Sequence, residues 1–310
     1  MLDLTATSAN ELYAAACRAV LETGQLSKPR GMATIEVLNA HLCLTEPRRR
    51  YVDLPPARII NPAFAVAEAI WILSGSDDPW IFQYNKTLTK YADDGKLQGA
   101  YGPRMRKWRD KVDQLDHVRR LLARDPDTRQ AVIQLFDAER DTVGHRDVPC
   151  TLGYRFFLRD GRLHMHTSMR SQDLWLGFPY DIFTATMIHE LMAGWIGADV
   201  GEYHHFVDSL HLYDQHLDAA RDVAQHRNES ALMSPVAADW GGLAQLLDGV
   251  VSGNPLDPSW EPFARVLESY RLWQDGNHES ARGLLRDADD LLGLALNRWY
   301  EHLTQSVSRR

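Results

Sequence analysis

The chain is poor in cysteine, has no long apolar run and carries no excess of positive charge. Its three cysteines, Cys17, Cys43 and Cys150, are an odd number in 310 residues with no C-x-x-C pair. That pattern excludes a disulfide framework and a thiolate metal site as the organising principle, so any special cysteine is a free thiol. No stretch approaches the ~20 apolar residues that a membrane helix requires, and Met1-Leu2-Asp3-Leu4 has neither the basic nor the apolar region of a signal peptide. The expectation is a cytoplasmic protein with no membrane contact. Lys and Arg number 34 against 42 Asp and Glu, a formal charge of −8, which argues against nucleic acid as a partner. A local arginine cluster could still hold one phosphate, so a mononucleotide suits this balance better than DNA. Internal repeats and low-complexity tracts are missing as well, and residues 1–310 read as one domain.

What is present is an alternation of helical and strand patterns. Leu12, Ala15, Ala16, Val20 and Leu21 recur at helical spacing over 10–22, with Ser8 or Asn10 as cap. β-branched and apolar residues from Met32 to Leu44 predict a strand, and Arg48-Arg49-Arg50 a solvated turn. Asn61-Pro62 opens an apolar helix over 63–73 that contains one carboxylate, Glu68. After a glycine-rich loop section come a helix over 114–123 and strands over 129–136 and 152–158. Asp160-Gly161 then joins Phe156-Phe157-Leu158 to Leu163-His164-Met165-His166 as a two-residue hairpin. A helix follows over 180–195 and a strand over 202–212. The part from about 216 to 310 is mostly helical, with Pro255, Pro258 and Pro262 as a linker into helices over 263–273 and 279–303.

Chemistry gathers around Cys150, which follows Pro149 at the head of a strand. Arg170-Ser171, a guanidinium beside a hydroxyl on an extended segment, can bind a phosphate, and a nearby arginine lowers a thiol's pKa. Glu68, alone in an apolar helical face, is either wetted through a cavity or functional, because an unpaired buried charge costs several kcal/mol. His211 and Tyr213 lie two apart on a strand and so share a face. The histidines His164, His166, His204, His205 and His211 stand at strand spacing without a partnering carboxylate motif, and no metal is expected.

Taken together, Pro149-Cys150, Arg170-Ser171-x-Asp173-x-x-x-Gly177-x-Pro179-Tyr180-Asp181 and His211-x-Tyr213 resemble the thymidylate synthase family and its pyrimidine-hydroxymethylase branch. Glu68-Ala69-Ile70-Trp71-Ile72-Leu73-Ser74-Gly75, Tyr101-Gly102 and Pro126-Asp127-Thr128-Arg129 extend the likeness, which runs from about Arg30 to His216. The resemblance implies an α+β fold, a large twisted mixed sheet flanked by helices, with a helical C-terminal extension. It implies that Cys150 attacks C6 of a pyrimidine nucleoside monophosphate, with Glu68, Asp181 and Tyr101 as further catalytic groups. Arg30, Arg170 and Ser171 would hold the 5′-phosphate, and Arg129 would reach the site from the other subunit of a homodimer. Asp173, Gly177, His211 and Tyr213 complete the nucleotide site. Asp173, Leu88 and Trp71 would meet the cosubstrate 5,10-methylenetetrahydrofolate. The family's short C-terminal segment that closes over folate has no counterpart at Gln305-Ser306-Val307-Ser308-Arg309-Arg310, and Asp208-Ser209-Leu210-His211 stands where the family has Gly-Asp-x-His.

The departure with most consequence is Asp181, where thymidylate synthases carry Asn. An amide complements uracil's O4 acceptor and N3–H donor, whereas a carboxyl receives cytosine's N4–H and shares a proton with N3. Against uracil it would face the O4 lone pairs at a cost of about 1–3 kcal/mol. The expected substrate is therefore dCMP, with CMP as the alternative and dUMP methylation as the second. The bland reading of Asp181 is a helix cap, which Asn would serve equally. Thr151 replaces the family's histidine after the nucleophile, and Leu88 stands at a tryptophan position, which would leave room for water beside the reacting carbon.

Overall fold

The computed structural model describes residues 1–308. Its order is β1 (Leu2–Ala6), α1 (Ala9–Thr23), β2 (Gln25–Ser27), β3 (Thr34–Leu44), α2 (Pro62–Leu73), α3 (Tyr101–Arg106), α4 (Gln114–Arg124), β4 (Val132–Gln134) and α5 (Ala138–Asp141). There follow β5 (Thr151–Arg159), β6 (Arg162–Met169), β7 (Gln172–Asp173), α6 (Phe178–Ile196), β8 (Asp199–Tyr213), α7 (Leu217–Ala224), α8 (Leu243–Ser252), α9 (Glu261–Gln274), α10 (His278–Gly283) and α11 (Leu291–Ser308). The terminal Arg309-Arg310 of the run compared with the folate-closing segment lie outside the described residues.

The eight strands form one mixed sheet in the order β1-β3-β8-β6-β5-β4, with β2 on β3 and β7 on β8. Pairs β1/β3 and β6/β8 are parallel, while β3/β8, β5/β6 and β4/β5 are antiparallel. This is the expected α+β architecture. Helices cover one face, where Leu42, Phe156, Met165, Tyr203 and Val207 are buried. Alternation along the strands sends His41, His164, His166, His204 and Phe206 to the opposite face, which is only partly buried.

Local chemistry explains the elements that position the site. Ser8 and Glu11 form a capping box on α1, each satisfying an orphan backbone donor of the other. Asn61 caps α2 through Ala63 N–H, Pro62 occupies the first turn, and every residue of the helix except Glu68 is buried. Asp160 and Gly161 take φ of 51° and 75° between β5 and β6, the left-handed pair that a type I′ hairpin needs.

Several expectations are corrected. The Arg48–Arg50 run is not all solvated: Arg50 is fully buried and pairs with Glu190 of α6, because burying one charge requires its partner. The strand at 129–136 is only Val132–Gln134. The long last helix is broken into α10 and α11. Pro258 and Pro262 sit in the first turns of a short 3-10 helix (Pro258–Trp260) and of α9, so the linker is shorter than the prolines suggested. The glycine-rich section contains α3 and two 3-10 turns, Pro79–Gln83 and Lys86–Tyr91. The C-terminal helices are docked on the core: Arg298 of α11 pairs with Asp53, Trp273 stacks on Tyr300 at 3.9 Å, and Tyr270 stacks on Tyr84 at 5.6 Å.

Candidate active site

Cys150 is half-buried at the head of β5. Arg170, at the end of β6, donates from Nε to the Pro149 carbonyl and from Nη2 to the Val148 carbonyl, each at 2.9 Å, and its Nη2 lies 3.7 Å from the Cys150 Sγ. The arginine thus fixes the segment that carries the thiol. The expected lowering of the thiol pKa is reversed in the net: burial pushes Cys150 up, and Arg170 opposes this without overcoming it. Desolvation of a thiolate outweighs one partly exposed guanidinium.

A small cavity lies between α2, α6 and the sheet, lined by Ile72, Tyr101, Thr151, Tyr154, Thr167, Asp181, Thr184, Ala185 and His205. Tyr101 Oη accepts the Thr151 N–H at 3.2 Å. Thr184 Oγ1 is buried with no hydrogen-bond partner among the described residues, so the cavity is a polar one that a water would satisfy.

Asp181 forms one wall. It is not the helix cap: α6 begins at Phe178 after Gly177, and the Asp181 carboxylate turns away from the backbone to accept from Gln172 Nε2 at 2.8 Å. Gln172 Oε1 in turn lies 2.9 Å from His205 Nε2, and His205 Nδ1 lies 2.8 Å from the Tyr203 hydroxyl. This relay orients the amide so that its NH2 faces Asp181. Burial raises the Asp181 carboxyl to about 6, with Gln172 opposing. Burial, then the Asp181 charge, raises half-buried Glu68 to about 8. A Cβ on Gly177 would stand 2.7 Å from Gln172 Nε2 and 3.2 Å from Asp181 Oδ2, so any side chain there would displace the Gln172 amide.

The other expected residues fall into two groups. Arg30, in a 3-10 turn with φ of 52°, lies near enough to Tyr213 and Cys150 to act electrostatically on both. His211 is buried beside Tyr213, ring centroids 5.3 Å apart, and β7 sets Asp173 opposite His211. Half-buried Ser171 follows Arg170 directly. Asp173 Oδ1 accepts from the N–H groups of Trp175 and Leu176, which shapes the turn into α6 and leaves Oδ2 available. Ser209, one of the departures before His211, donates to Glu36 Oε2 on β3.

Arg129 stands apart: it is exposed and makes no hydrogen bond or ion pair among the described residues. Trp71 is buried and donates its indole N–H to the Asp78 carbonyl at 3.0 Å, so only its ring could meet a ligand. Leu88 is half-buried in the turn Lys86–Tyr91. The histidines separate as well, with His205 buried against Gln172 and His164, His166 and His204 on the outer face. Sequence reading missed Gln172, His205, Thr167 and Thr184. Gln172 lies between two recognised residues, Ser171 and Asp173, and its position was the only signal.

A half-buried thiol held by an arginine at the sheet, two carboxyls of raised pKa on α2 and α6, and a polar cavity between those helices and the sheet make up the candidate site. The comparisons place it in a family. The thymidylate synthase family model matches residues 11–235, and the chain belongs to that family. It is 36% identical over 227 residues to the deoxyuridylate hydroxymethyltransferase of Bacillus phage SP01, covering 69% of this chain and 59% of that protein. It is 31% identical over 227 residues to the deoxyuridylate hydroxymethyltransferase of Delftia phage PhiW-14, covering 68% and 62%. A thymidylate synthase of Listeria monocytogenes is 30% identical over 155 residues, covering 49% and 48%. The matched region thus spans between about half and three-fifths of these relatives. No helix among the described residues is long and apolar enough to cross a membrane.

Proposed function

We propose that the chain is a pyrimidine nucleotide 5-hydroxymethyltransferase that converts dCMP to 5-hydroxymethyl-dCMP with 5,10-methylenetetrahydrofolate and water. The observation that carries the cytosine assignment is the Asp181 carboxyl, oriented by Gln172 at the cavity wall and raised to about 6. A carboxyl poised there can accept from N4–H and share a proton with N3, which also makes the ring a better electron sink. Hydroxymethylation is supported by the names of the two phage relatives.

In this reading Arg30, Arg170 and Ser171 hold the 5′-phosphate, and His211 and Tyr213 face the sugar. Cys150 adds to C6, which makes C5 nucleophilic. The folate supplies a one-carbon unit at the formaldehyde level and leaves as tetrahydrofolate. Glu68, protonated at neutral pH by its surroundings, moves protons at the exocyclic group and C5. Water entering beside Leu88 and the threonine-lined cavity adds to the exocyclic carbon, and expulsion of Cys150 restores the ring. Leu88, the Trp71 ring and Asp173 Oδ2 are the groups that would meet the folate. A second copy would pair through the outer sheet face and bring its Arg129 to the phosphate; the exposed, unbonded guanidinium supports this. All 310 residues would act as one domain.

The relatives' printed substrate favours a second reading, hydroxymethylation of dUMP. An Asp181→Asn variant separates the two. The dCMP reading expects the kcat/KM ratio of dCMP to dUMP to fall by about 30- to 1,000-fold, the equivalent of two reversed hydrogen bonds at about 1–2 kcal/mol each. A wild-type preference for dUMP that the variant leaves unchanged contradicts it. CMP, assayed beside dCMP, decides the sugar.

A further inference from the structure

Behind Asp181 the sheet encloses a line of polar side chains that ends on its carboxyl. Thr167 of β6, Tyr203 and His205 of β8 and Gln172 of β7 are all buried. Tyr203 Oη lies 2.9 Å from Thr167 Oγ1 and 2.8 Å from His205 Nδ1, His205 Nε2 lies 2.9 Å from Gln172 Oε1, and Gln172 Nε2 lies 2.8 Å from Asp181 Oδ2. Among the described residues Gln172 is the one side chain that hydrogen-bonds this carboxyl. The other ionisable groups that act on it or feel its charge, Glu68, Tyr101, Cys150, Tyr154 and Asp173, are all acids, so none offers it a positive partner.

The backbone fixes which way the Gln172 amide faces. Its Nε2 also lies 3.3 Å from the Asp173 carbonyl oxygen, which accepts the Gly177 N–H at 3.0 Å as well. Turning the amide over would set its oxygen against that carbonyl and against Asp181, one acceptor facing two others. The NH2 therefore points at Asp181 and the amide oxygen at His205. His205 must then donate from Nε2, whether its ring is neutral or charged, and the Tyr203 and Thr167 hydroxyls can turn to satisfy Nδ1 in either state.

We propose that Gln172 is a specificity-determining residue, which holds Asp181 in the form that accepts a hydrogen bond from the base, with His205 as the positioning residue behind it. This rests on the reading that Asp181 meets the exocyclic edge of the pyrimidine. An N–H fixed on Oδ2 favours the carboxylate over the acid, and a carboxylate can only accept. That form fits an exocyclic amino group. Burial raises the carboxyl to about 6 even with Gln172 in place, so loss of the donor carries it further up, toward the acid. The acid's O–H can donate to an exocyclic oxygen instead, and the base preference moves from cytosine toward uracil.

The test compares kcat/KM for dCMP and dUMP in the full chain, with dissociation constants for both nucleotides from calorimetry where turnover is too slow. Gln172→Met, similar in length and without the donor, should lower the dCMP to dUMP ratio by about 10- to 100-fold, the worth of one hydrogen bond to a charged group. His205→Leu, which leaves the Gln172 oxygen without a donor, should move the ratio the same way. His205→Gln, which keeps an N–H within reach of that oxygen, should restore most of it. A lesion of packing alone would weaken both nucleotides together and leave the ratio where it was. An unchanged ratio in Gln172→Met, or in His205→Leu should the first variant not fold, would overturn the inference. A wild type that prefers dUMP would contradict the cytosine reading, and the shift in ratio would still decide the role of Gln172.

Discussion

Replacing Glu68 with glutamine keeps the shape of the side chain and removes its charge, so its effect on stability must depend on pH. Burial, and then Asp181, move this carboxyl from an ordinary 4.5 to about 8. At about 1.4 kcal/mol per tenfold, that sets an upper bound of about 5 kcal/mol against ionisation in the folded state. Glu68 is half-buried, and solvent screening of a group that is not fully enclosed leaves about 2–4 kcal/mol. Because the folded pKa is the higher one, the folded chain binds more protons between the two values, and stability falls as pH rises. Below pH 4.5 both states are protonated and the wild type and E68Q behave alike. Between 4.5 and 8 the wild type loses stability relative to E68Q, and above 8 the gap is constant. Urea unfolding of both proteins at pH 4.5, 7 and 9 should show E68Q gaining about 2–4 kcal/mol on the wild type between the extremes, while its turnover falls sharply. Parallel stability profiles would refute the claim that Glu68 is held protonated by the site.

Two further outcomes follow from the packing. Gly177→Ala places a Cβ 2.7 Å from Gln172 Nε2, so the Gln172–Asp181 pair must shift. The dCMP kcat/KM should fall about tenfold or more, for a stability loss of about 1–3 kcal/mol by urea unfolding; unchanged kinetics would mean that the pair does not orient the base. Arg50→Ala strands Glu190 inside α6, since Arg50 is fully buried and is the partner of that carboxylate. A loss of about 3–5 kcal/mol is expected by the same measurement, and a change under 1 kcal/mol would show that water has replaced the pair.

The parts of the fold legible in the sequence are those where a local rule and the tertiary structure agree. Asn61-Pro62 marks the start of α2, and Asp160-Gly161 the β5–β6 turn, because each is decided by the residue's own backbone preferences. The break between α10 and α11 escaped detection, since helical spacing continues across it. Arg50 was misread because three consecutive arginines look solvated until Glu190, 140 residues on, is placed beside one of them. In the candidate site, Cys150, Arg170, Tyr101 and Asp181 were readable from linear motifs; the structure sets Arg170 against Cys150, and Tyr101 and Asp181 in the wall of one cavity. Gln172, His205 and Thr184 were not, because their importance lies in what they touch across the sheet. The net rise of the Cys150 thiol shows the same limit: the neighbouring arginine is visible in sequence, and the burial that outweighs it is not.

The central claim is that the carbon added at C5 is captured by water on a cytosine ring. Incubation with 5,10-methylenetetrahydrofolate and dCMP, CMP or dUMP in parallel, with the nucleotide product identified by mass spectrometry and the folate product by absorbance, tests it most directly. The account expects 5-hydroxymethyl-dCMP with tetrahydrofolate as the main product pair. A 5-methyl nucleotide accompanied by dihydrofolate would contradict the hydroxymethylase assignment, and 5-hydroxymethyl-dUMP as the main product would contradict the role given to Asp181.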